Sequence, residues 1–415
     1  MWRGLRIALA TLVALIAWTV FVAAGTYEGW WRPMPAPPGD TAAFAAAAKA
    51  RYAAESKGNI ALALLVHGKV AGTYFASHGK PVDGDTLFQV ASMSKWVTAF
   101  GVMALVEQHR IDLDTPVSHY LKRWHLPPSP FDNNAVTVRR LLSHTAGLTD
   151  DLGYLGFAPG QKLQTLPQSL TRTGDPMPGR SGLVRVGQPA GSWRYSGGGF
   201  AMLQLTIEDV AGEDFNTYMR RTVLAPLGMK ESTFVAPDPA HLATFYGTDG
   251  KPAIHYKFTA LAAASLYTSL NDMTRFVQAQ LPGAHGVVTP QTLALMRTPV
   301  ARVAGIPIWG LGTILYTGNG AGGFIVGHDG NNYPAINTTA RLDPATGDGI
   351  VMLSTGNPTL ASAIGADWTW WHTGHVDTMA MVIESQATLE IFGAGAIVIL
   401  LAAILVGWRG RRRAE

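Results

Sequence analysis

Two groups of strand-like segments lie at opposite ends of the central part of the chain. Residues 59–75 alternate as two strands around a turn at Gly68. From residue 306 onward the strand pattern returns, and it predicts strands at 308–316, 323–327, 335–342 and 349–354. The first and last parts of this region therefore both supply strands.

Helix-like patterns lie before, between and after these strands. An alanine-rich helix is predicted at 41–54, and a tryptophan-rich helix at 359–372. Between the strand groups, helices joined by glycine- and proline-rich loops are predicted at 138–143, 199–211, 215–224 and 271–281. Strands from both ends around a helical middle predict an α+β arrangement, in which the two ends complete one sheet.

The two longest apolar runs lie close to the termini. Residues 7–24 and 391–408 are each 18 residues long and carry no charge. As helices they would span about 27 Å, close to the hydrocarbon thickness of a bilayer. Interfacial aromatic anchors are expected at Tyr27, Trp30, Trp31 and Trp408. The pattern predicts two transmembrane helices.

Arginines flank both runs on their terminal sides. The positive-inside rule then places both termini in the cytoplasm and the intervening domain outside it, on an inner (cell) membrane and facing the periplasm. An alternative for the first run is a cleaved signal peptide, since Val22-Ala23-Ala24 resembles a small-residue cleavage site. Export of the domain is expected under either interpretation.

These features divide the chain into six parts. The predicted boundaries are an anchor or signal peptide at 1–25, a proline-rich spacer at 26–42, a catalytic domain at 43–372, a linker at 373–390, a second span at 391–408 and a basic cytoplasmic tail at 409–415. The spacer is expected to be stiff and to lift the domain off the membrane.

Composition excludes several classes of function. The 415 residues include no cysteine, so disulfides and thiolate metal sites are excluded. The basic pI of about 9.2 comes from six arginines in the two short tails, and the remaining chain is close to neutral. No basic stripe with interleaved aromatic residues is present, so nucleic-acid binding is not expected. Zinc-protease and phosphate-loop motifs are absent as well, and we expect no metal or organic cofactor.

Ser92 and Lys95 are the first candidates for chemistry. Residues three apart return to the same face of a helix, so the Lys95 amine can reach the Ser92 oxygen. A serine hydroxyl is a weak nucleophile until a base takes its proton, and a lysine is such a base only when its pKa is lowered. On its own, the segment fits equally a helix cap followed by a surface lysine.

Three further segments follow in order along the chain. They are Leu141-Leu142-Ser143-His144-Thr145-Ala146-Gly147-Leu148, Tyr195-Ser196-Gly197 and Gly327-His328-Asp329-Gly330-Asn331. With Ser92-Met93-Ser94-Lys95, the ordered set resembles the serine β-lactamase and penicillin-binding-protein superfamily, in its class C β-lactamase-like branch. The resemblance covers about residues 43–372. It implies the β-lactamase/transpeptidase fold, an antiparallel sheet flanked by helices beside a mostly helical region.

The resemblance also implies roles for five residues. Ser92 would be the acylated nucleophile and Lys95 its activator. Tyr195 would act as general base, and as acid toward the leaving group, if nearby cations lower its pKa from about 10. His328 would line the opposite wall of the cleft, where it would orient Tyr195 or contact a substrate carboxylate. The backbone N–H groups of Ser92 and Asn331 would form the oxyanion hole.

One position departs from the family pattern. Gly197 stands where the second motif has asparagine. We expect this glycine to remove a substrate contact and to widen the cleft, which favours hydrolysis of esters or small amides. The alternatives are a D,D-carboxypeptidase or β-lactamase, and a catalytically idle protein that recognises cell-wall fragments or a membrane partner.

Another set of residues resembles parts of a catalytic triad. Ser143 and His144 are followed by Asp150 and Asp151. Neighbouring side chains on a helix point in different directions, so this set is not expected to work together. The family resemblance implies a structural role for His144.

Overall fold

An eight-stranded antiparallel sheet organises the computed structural model, which describes residues 2–150, 153–383 and 385–412. The described residues form ten strands, and all but two of them belong to this sheet. They are β1 (Ile60–Val66), β2 (Lys69–Ala76), β3 (Phe88–Gln89), β4 (Tyr267–Thr268), β5 (Ala301–Val303), β6 (Ile306–Trp309), β7 (Ile314–Gly318), β8 (Phe324–Asn332), β9 (Ile336–Leu342) and β10 (Gly349–Ser354). The large sheet has the order β2-β1-β10-β9-β8-β7-β6-β5, and β3 pairs with β4 separately.

Helices surround this sheet. They are α1 (Trp2–Tyr27), α2 (Thr41–Glu55), α3 (Ser94–Glu107), α4 (Val138–Leu142), α5 (Leu166–Thr171), α6 (Gly197–Ala211), α7 (Phe215–Met219), α8 (Leu261–Ala264), α9 (Leu270–Gln278), α10 (Pro290–Met296), α11 (Leu360–Thr373), α12 (Thr378–Ile383) and α13 (Ser385–Arg412). The predicted α+β fold is confirmed.

The first and last strand groups join in the middle of the sheet. Strand β1 pairs with β10, and Leu62 lies opposite Met352. Side chains alternate along β1 because successive residues of a strand point to opposite faces. Ala61 and Leu65 pack into the core shared with the helical region, whereas Ile60 and Leu62 pack under α2 and α11. One sheet completed by both ends of the chain is therefore confirmed.

Several boundaries differ from the predictions. The predicted strand 308–316 is two strands, because Gly310 and Gly312 form a turn in which Gly312 has a φ of +72°. The predicted helix 215–224 changes to a π-helical turn after Met219. The predicted linker 373–390 is helical from Thr378 apart from residue 384, which lies outside the described residues.

The spacer is packed against the domain. Arg32 forms an ion pair of 2.8 Å with Asp367 of α11, and the Trp371 indole N–H donates to the Pro37 carbonyl at 2.8 Å. The Phe44 ring stacks on Trp371 with centroids 5.0 Å apart. The first two contacts hold the spacer against α11, and the third holds α2 there.

Two helices are long and apolar enough to cross a membrane. These stretches are Gly4–Tyr27 in α1 and Thr388–Arg409 in α13. The two helices contact each other, and the Trp18 indole N–H donates to the Phe392 carbonyl at 3.0 Å. Each apolar run predicted from the sequence is a helix.

Candidate active site

Ser92 lies in a tight turn between β3 and α3. Strand β3 leads into a 3₁₀ turn at Ala91–Met93, and α3 begins two residues after Ser92 rather than at it. Ala91 has a φ of +47°, a conformation that few residues other than glycine adopt. The turn therefore holds the residue before Ser92 in a conformation that costs free energy.

The Ser92 turn touches the strand that carries the third motif. Thr338 Oγ1 of β9 donates to the Val90 carbonyl at 3.0 Å. A Cβ atom on Gly330 of β8 would overlap that same carbonyl oxygen. Gly330 therefore lets β8, with Asn331, approach the Ser92 turn.

Lys95 is buried beside Ser92. Its Nζ donates to Ser92 Oγ at 3.2 Å and to the Ala263 carbonyl at 2.7 Å. Burial lowers the pKa of Lys95 from 10.5 to about 7, and attraction to the Asp150 carboxylate only partly opposes that effect. Near neutral pH, neutral and protonated forms of this amine are both well populated. The interpretation as a surface lysine is wrong.

Tyr195 lies just before α6, with its ring beside the lysine. Its ring centroid is 5.0 Å from Lys95 Nζ. Burial raises the pKa of Tyr195 above its usual 10, and a hydrogen bond with Ser92 only partly offsets the rise. The condition for a general base, a pKa lowered by nearby cations, is not met, because desolvation disfavours the phenolate more than its surroundings stabilise it. At neutral pH the phenol keeps its proton.

His328 is a buried, neutral residue of β8. Burial, and secondarily the charge of Lys95, lower the pKa of His328 from 6.5 to about 3. Its Nδ1–H donates to the Asp329 carbonyl at 2.6 Å, and Nε2 has no hydrogen-bond partner among the described residues. The Trp309 ring packs against both His328 and Tyr195, with ring centroids 5.4 Å and 5.8 Å apart respectively.

The space beside Gly197 is filled. A Cβ atom there would lie 2.7 Å from Gly153 Cα and 3.3 Å from the Tyr154 ring. The expectation that this glycine widens the cleft is therefore wrong, because a loop occupies the volume that an asparagine would need. Asp150, on the same loop, accepts hydrogen bonds from Ser196 Oγ at 2.6 Å and from the Gly198 N–H.

The residues that resemble a triad do not form one. Ser143 Oγ donates to the Arg139 carbonyl at 2.9 Å and pairs with Thr145 Oγ1. His144 instead accepts a hydrogen bond at Nδ1 from the Ser196 N–H, at 3.2 Å. Asp151 lies outside the described residues.

His144 is the site residue that reasoning from the sequence undervalued. It is buried against Tyr195, with ring centroids 4.3 Å apart. The available signal was its position directly after Ser143, the C-cap of α4, where glycine or asparagine is usual. The described part of the chain contains no cluster of three or more His, Cys, Asp or Glu side chains placed to hold a metal ion.

The site can now be compared with known proteins. A family model described as Beta-lactamase matches residues 44–384, most of the chain. The chain belongs to the Beta-lactamase family. A serine in contact with the lysine three residues later suits a family of serine hydrolases.

Curated relatives differ in how much of their length is shared. Penicillin-binding protein 4 of Amycolatopsis lactamdurans is 28% identical over 71% of this chain and 80% of its own length. Esterase EstB of Burkholderia gladioli is 29% identical over 42% of this chain and 45% of its own length. Penicillin-binding protein 4* of Bacillus subtilis is 30% identical over 37% of this chain, which spans about a third (32%) of that relative.

Solved structures show the same fold. The octameric penicillin-binding protein homologue from Pyrococcus abyssi superposes with a TM-score of 0.65 at 22% identity, covering 79% of this chain and 76% of its own. The β-lactamase/transpeptidase-like fold that the resemblance implied is thereby confirmed.

Proposed function

We propose that this protein hydrolyses acyl esters and small amides through an acyl-enzyme on Ser92. The observation that carries the proposal is the 3.2 Å contact between Ser92 Oγ and a buried Lys95 amine whose pKa is lowered to about 7. A neutral amine at that distance is a base for the serine proton. Esterase EstB, among the relatives, supports an acyl substrate.

Acylation uses three side chains. Ser92 Oγ attacks the substrate carbonyl carbon while its proton passes to Lys95 Nζ. The Tyr195 phenol then donates its proton to the leaving oxygen or nitrogen as the bond to the acyl carbon breaks. Tyr195 recovers a proton from the Lys95 ammonium, whose Nζ lies 5.0 Å from the phenol ring centroid. The raised pKa of Tyr195 suits a proton donor better than a resting base.

Deacylation repeats these transfers with water. Water attacks the acyl carbon, Lys95 takes a proton from it, and Ser92 Oγ leaves with a proton returned to it. In both halves the oxyanion would be held by the backbone N–H groups of Ser92 and Asn331. Loss of one such donor typically costs about 3–4 kcal/mol of barrier.

His328 argues for substrates without a terminal carboxylate. With a pKa lowered to about 3, its imidazole is neutral and supplies no positive charge to a substrate anion. Position 197 also has no room for the amide side chain that the family motif places there. Both features favour esters and small amides over peptides that end in a free carboxylate.

A second candidate is a D,D-carboxypeptidase or β-lactamase, which the long match to Penicillin-binding protein 4 supports. Replacing Gly197 by asparagine is a poor test, since the new side chain would meet the backbone of Gly153. The variant His328→Lys is a better test, because it would add a cation to the site without a change at position 197. Turnover of a D-alanyl-D-alanine peptide by the unaltered enzyme would favour this candidate.

The deciding experiment is intact-mass analysis of the full chain in detergent. The chain is incubated separately with a fluorophosphonate, a penicillin and a p-nitrophenyl acyl ester, and Ser92→Ala is the control. A single fluorophosphonate adduct on Ser92 with turnover of the ester alone supports the proposal. Stable penicilloylation of Ser92 favours the second candidate, and equal labelling of Ser92→Ala contradicts Ser92 as nucleophile. No adduct at all favours an idle binding protein.

We also propose that α1 and α13 anchor the domain to a membrane with both termini on the cytoplasmic side. Their apolar stretches and the terminal arginines support this orientation. Reporter fusions after Asn59 and at the C-terminus should report the outside and the inside of the cell respectively. A C-terminal fusion on the outside would contradict the two-span arrangement.

A further inference from the structure

We propose that His144 is a positioning residue, which holds Tyr195 where its phenol can protonate the leaving group. This inference rests on the proposed function, since it assigns His144 a role only through Tyr195. The residue lies at the end of α4, some fifty residues before Tyr195 in the chain.

Three contacts join His144 to the segment that carries Tyr195. The His144 carbonyl accepts the Arg194 N–H at 2.7 Å. His144 Nδ1 accepts the Ser196 N–H at 3.2 Å. The imidazole lies against the Tyr195 ring, with centroids 4.3 Å apart and planes at 34°. One residue therefore binds the backbone on both sides of Tyr195 and also limits where the ring can go.

The backbone of His144 is held in an unusual conformation. Its φ is +57°, and it occupies the position that follows the C-cap of α4. The two hydrogen bonds of a Schellman motif are present, from His144 N–H to the Leu141 carbonyl and from Thr145 N–H to the Arg140 carbonyl. Glycine is the usual residue there, because other residues are strained at positive φ. The Schellman motif fixes the backbone of His144, and the contacts above hold its side chain against the Tyr195 segment.

The hydrogen bonds define the state of the imidazole. Nδ1 accepts, so the proton of the neutral ring is on Nε2, which is buried and has no partner among residues 2–150, 153–383 and 385–412. Burial, with smaller effects from Lys95 and His328, lowers the pKa of His144 well below 6.5. His144 therefore stays neutral at working pH, and it acts through contact rather than by exchanging protons.

The expected consequence depends on the leaving group. A p-nitrophenolate leaves without help, whereas an alkoxide must be protonated as it departs, so only the second reaction needs a well-placed Tyr195. Loss of His144 should therefore slow alkyl esters much more than p-nitrophenyl esters of the same acid. A residue that merely stabilised the fold would slow both esters alike.

The test compares variants of the full chain on such a pair of esters. For His144→Ala we expect kcat/KM to fall about 100-fold with the alkyl ester and about threefold or less with the p-nitrophenyl ester. His144→Asn should recover much of the alkyl-ester rate, because asparagine tolerates positive φ and offers an oxygen close to the place of Nδ1. His144→Gln, which moves the polar group outward, should not. His372→Ala is the matched control, since His372 is paired with Asp343 on the other side of the sheet.

Two results would overturn the inference. One is an equal loss of rate with both esters in His144→Ala. The other is additive losses in His144→Ala and Tyr195→Phe combined, since residues that act through one another are not additive. Where His144→Ala does not fold, the contrast between His144→Asn and His144→Gln decides. If the unaltered chain hydrolyses neither ester and Ser92 is not labelled by fluorophosphonate, the proposed function itself fails.

Discussion

Two buried regions with ionisable side chains lie on opposite faces of the same sheet. Strand β8 contributes one residue to each region, and these two residues are neighbours in the chain. His328 faces the catalytic side with Lys95, whereas Asp329 faces α11 and contacts Arg341. Successive residues of a strand point to opposite faces, so one strand reaches both regions. We call the first region, with Lys95, His144, Tyr195 and His328, the catalytic cluster. The second, with Asp329, Arg341 and Asp377, is the Arg341 cluster.

The pKa of the buried cation is shifted in opposite directions in the two clusters. In the catalytic cluster, desolvation outweighs the attraction of Asp150, and the pKa of Lys95 drops to about 7. In the Arg341 cluster, Asp329 and Asp377 together outweigh desolvation, and they raise the pKa of Arg341. Burial alone therefore does not decide the charge of a group. Carboxylates beside a buried cation can outweigh the effect of desolvation on its pKa, as they do for Arg341.

The two clusters also differ in how many of their polar atoms form hydrogen bonds. Arg341 donates to Asp377, to Thr369 Oγ1 at 2.9 Å and to Asp329 at 3.3 Å, and it lies over the Tyr316 ring at 3.9 Å from the centroid. By contrast, Nε2 of both His144 and His328 lacks a hydrogen-bond partner among the described residues. The Arg341 cluster suits stability, and the catalytic cluster suits proton transfer.

The Arg341 cluster also moves a boundary of the domain. Asp377, which is fully buried, lies in the stretch predicted to be a linker, just before α12. A domain that ended at residue 372 would lack this partner of Arg341. Soluble versions of the domain should therefore extend through α12.

The largest expected effect is loss of activity on removal of the catalytic amine. Lys95→Met should lower kcat/KM by about 10⁴-fold, because Ser92 loses its base. Its thermal stability should equal or exceed that of the unaltered chain, since a poorly compensated buried amine is removed. Ester hydrolysis and thermal unfolding measure the two effects, and Lys69→Met on the exposed strand β2 is the control. Retained activity would contradict the role of Lys95.

The matched change in the Arg341 cluster should act on stability. Arg341→Met leaves Asp329 and Asp377 buried without their cation, and we expect a loss of about 3–5 kcal/mol in the free energy of unfolding. Urea unfolding of the full chain in detergent measures it, with the exposed Arg302→Met as control. A loss below 1 kcal/mol would mean that this cluster is no more than a surface-like ion pair.

The pH dependence of activity should separate the clusters further. Lys95 must be neutral to accept the serine proton, so kcat/KM should fall about tenfold per pH unit below its pKa of about 7 and level off above it. Of the groups around it, His144 and His328 have lowered pKa values and Tyr195 a raised one, so none of these three titrates near pH 7. A rate that is flat from pH 5 to 8 would rule out a lysine base.

A smaller effect is expected at the turn before Ser92. Ala91→Gly should stabilise the chain by about 1 kcal/mol or less, because glycine adopts the φ of +47° without strain. Ala99→Gly in the interior of α3 is the opposite control and should destabilise the chain by about 1 kcal/mol. Both changes remove one buried methyl group, so the difference between their unfolding midpoints measures the strain. A loss of stability in Ala91→Gly as large as that in Ala99→Gly would show that there is none.

The smallest effect is expected for the ion pairs near the surface of α11. Asp367→Asn weakens the contacts to Arg32 and Arg51, and each pair should contribute no more than about 1 kcal/mol. The change in urea midpoint should shrink further in high salt, since salt screens partly exposed pairs more than fully buried ones. A loss as large as that of Arg341→Met would remove the distinction between buried and exposed pairs in this protein.

Much of the fold was predictable because it depends on local pattern. The alternation of 59–75, the late strands and the alanine-rich helix each appear in a few consecutive residues, and the structure has them within a few positions. Ser92 and Lys95 were found the same way, since one helical turn separates them. The ordered set of motifs then indicated the family.

Other properties of the site depend on residues far apart in the chain. The sequence determined that the Lys95 amine lies one helical turn from Ser92. Only the tertiary structure decided the pKa of that amine, because Ala263 and the surrounding core remove it from water. The same holds for the space beside Gly197, which Gly153 fills, and for Asp377, which only the folded chain brings to Arg341. Desolvation and close packing are sums over a neighbourhood in space, and a local pattern along the chain does not contain that neighbourhood.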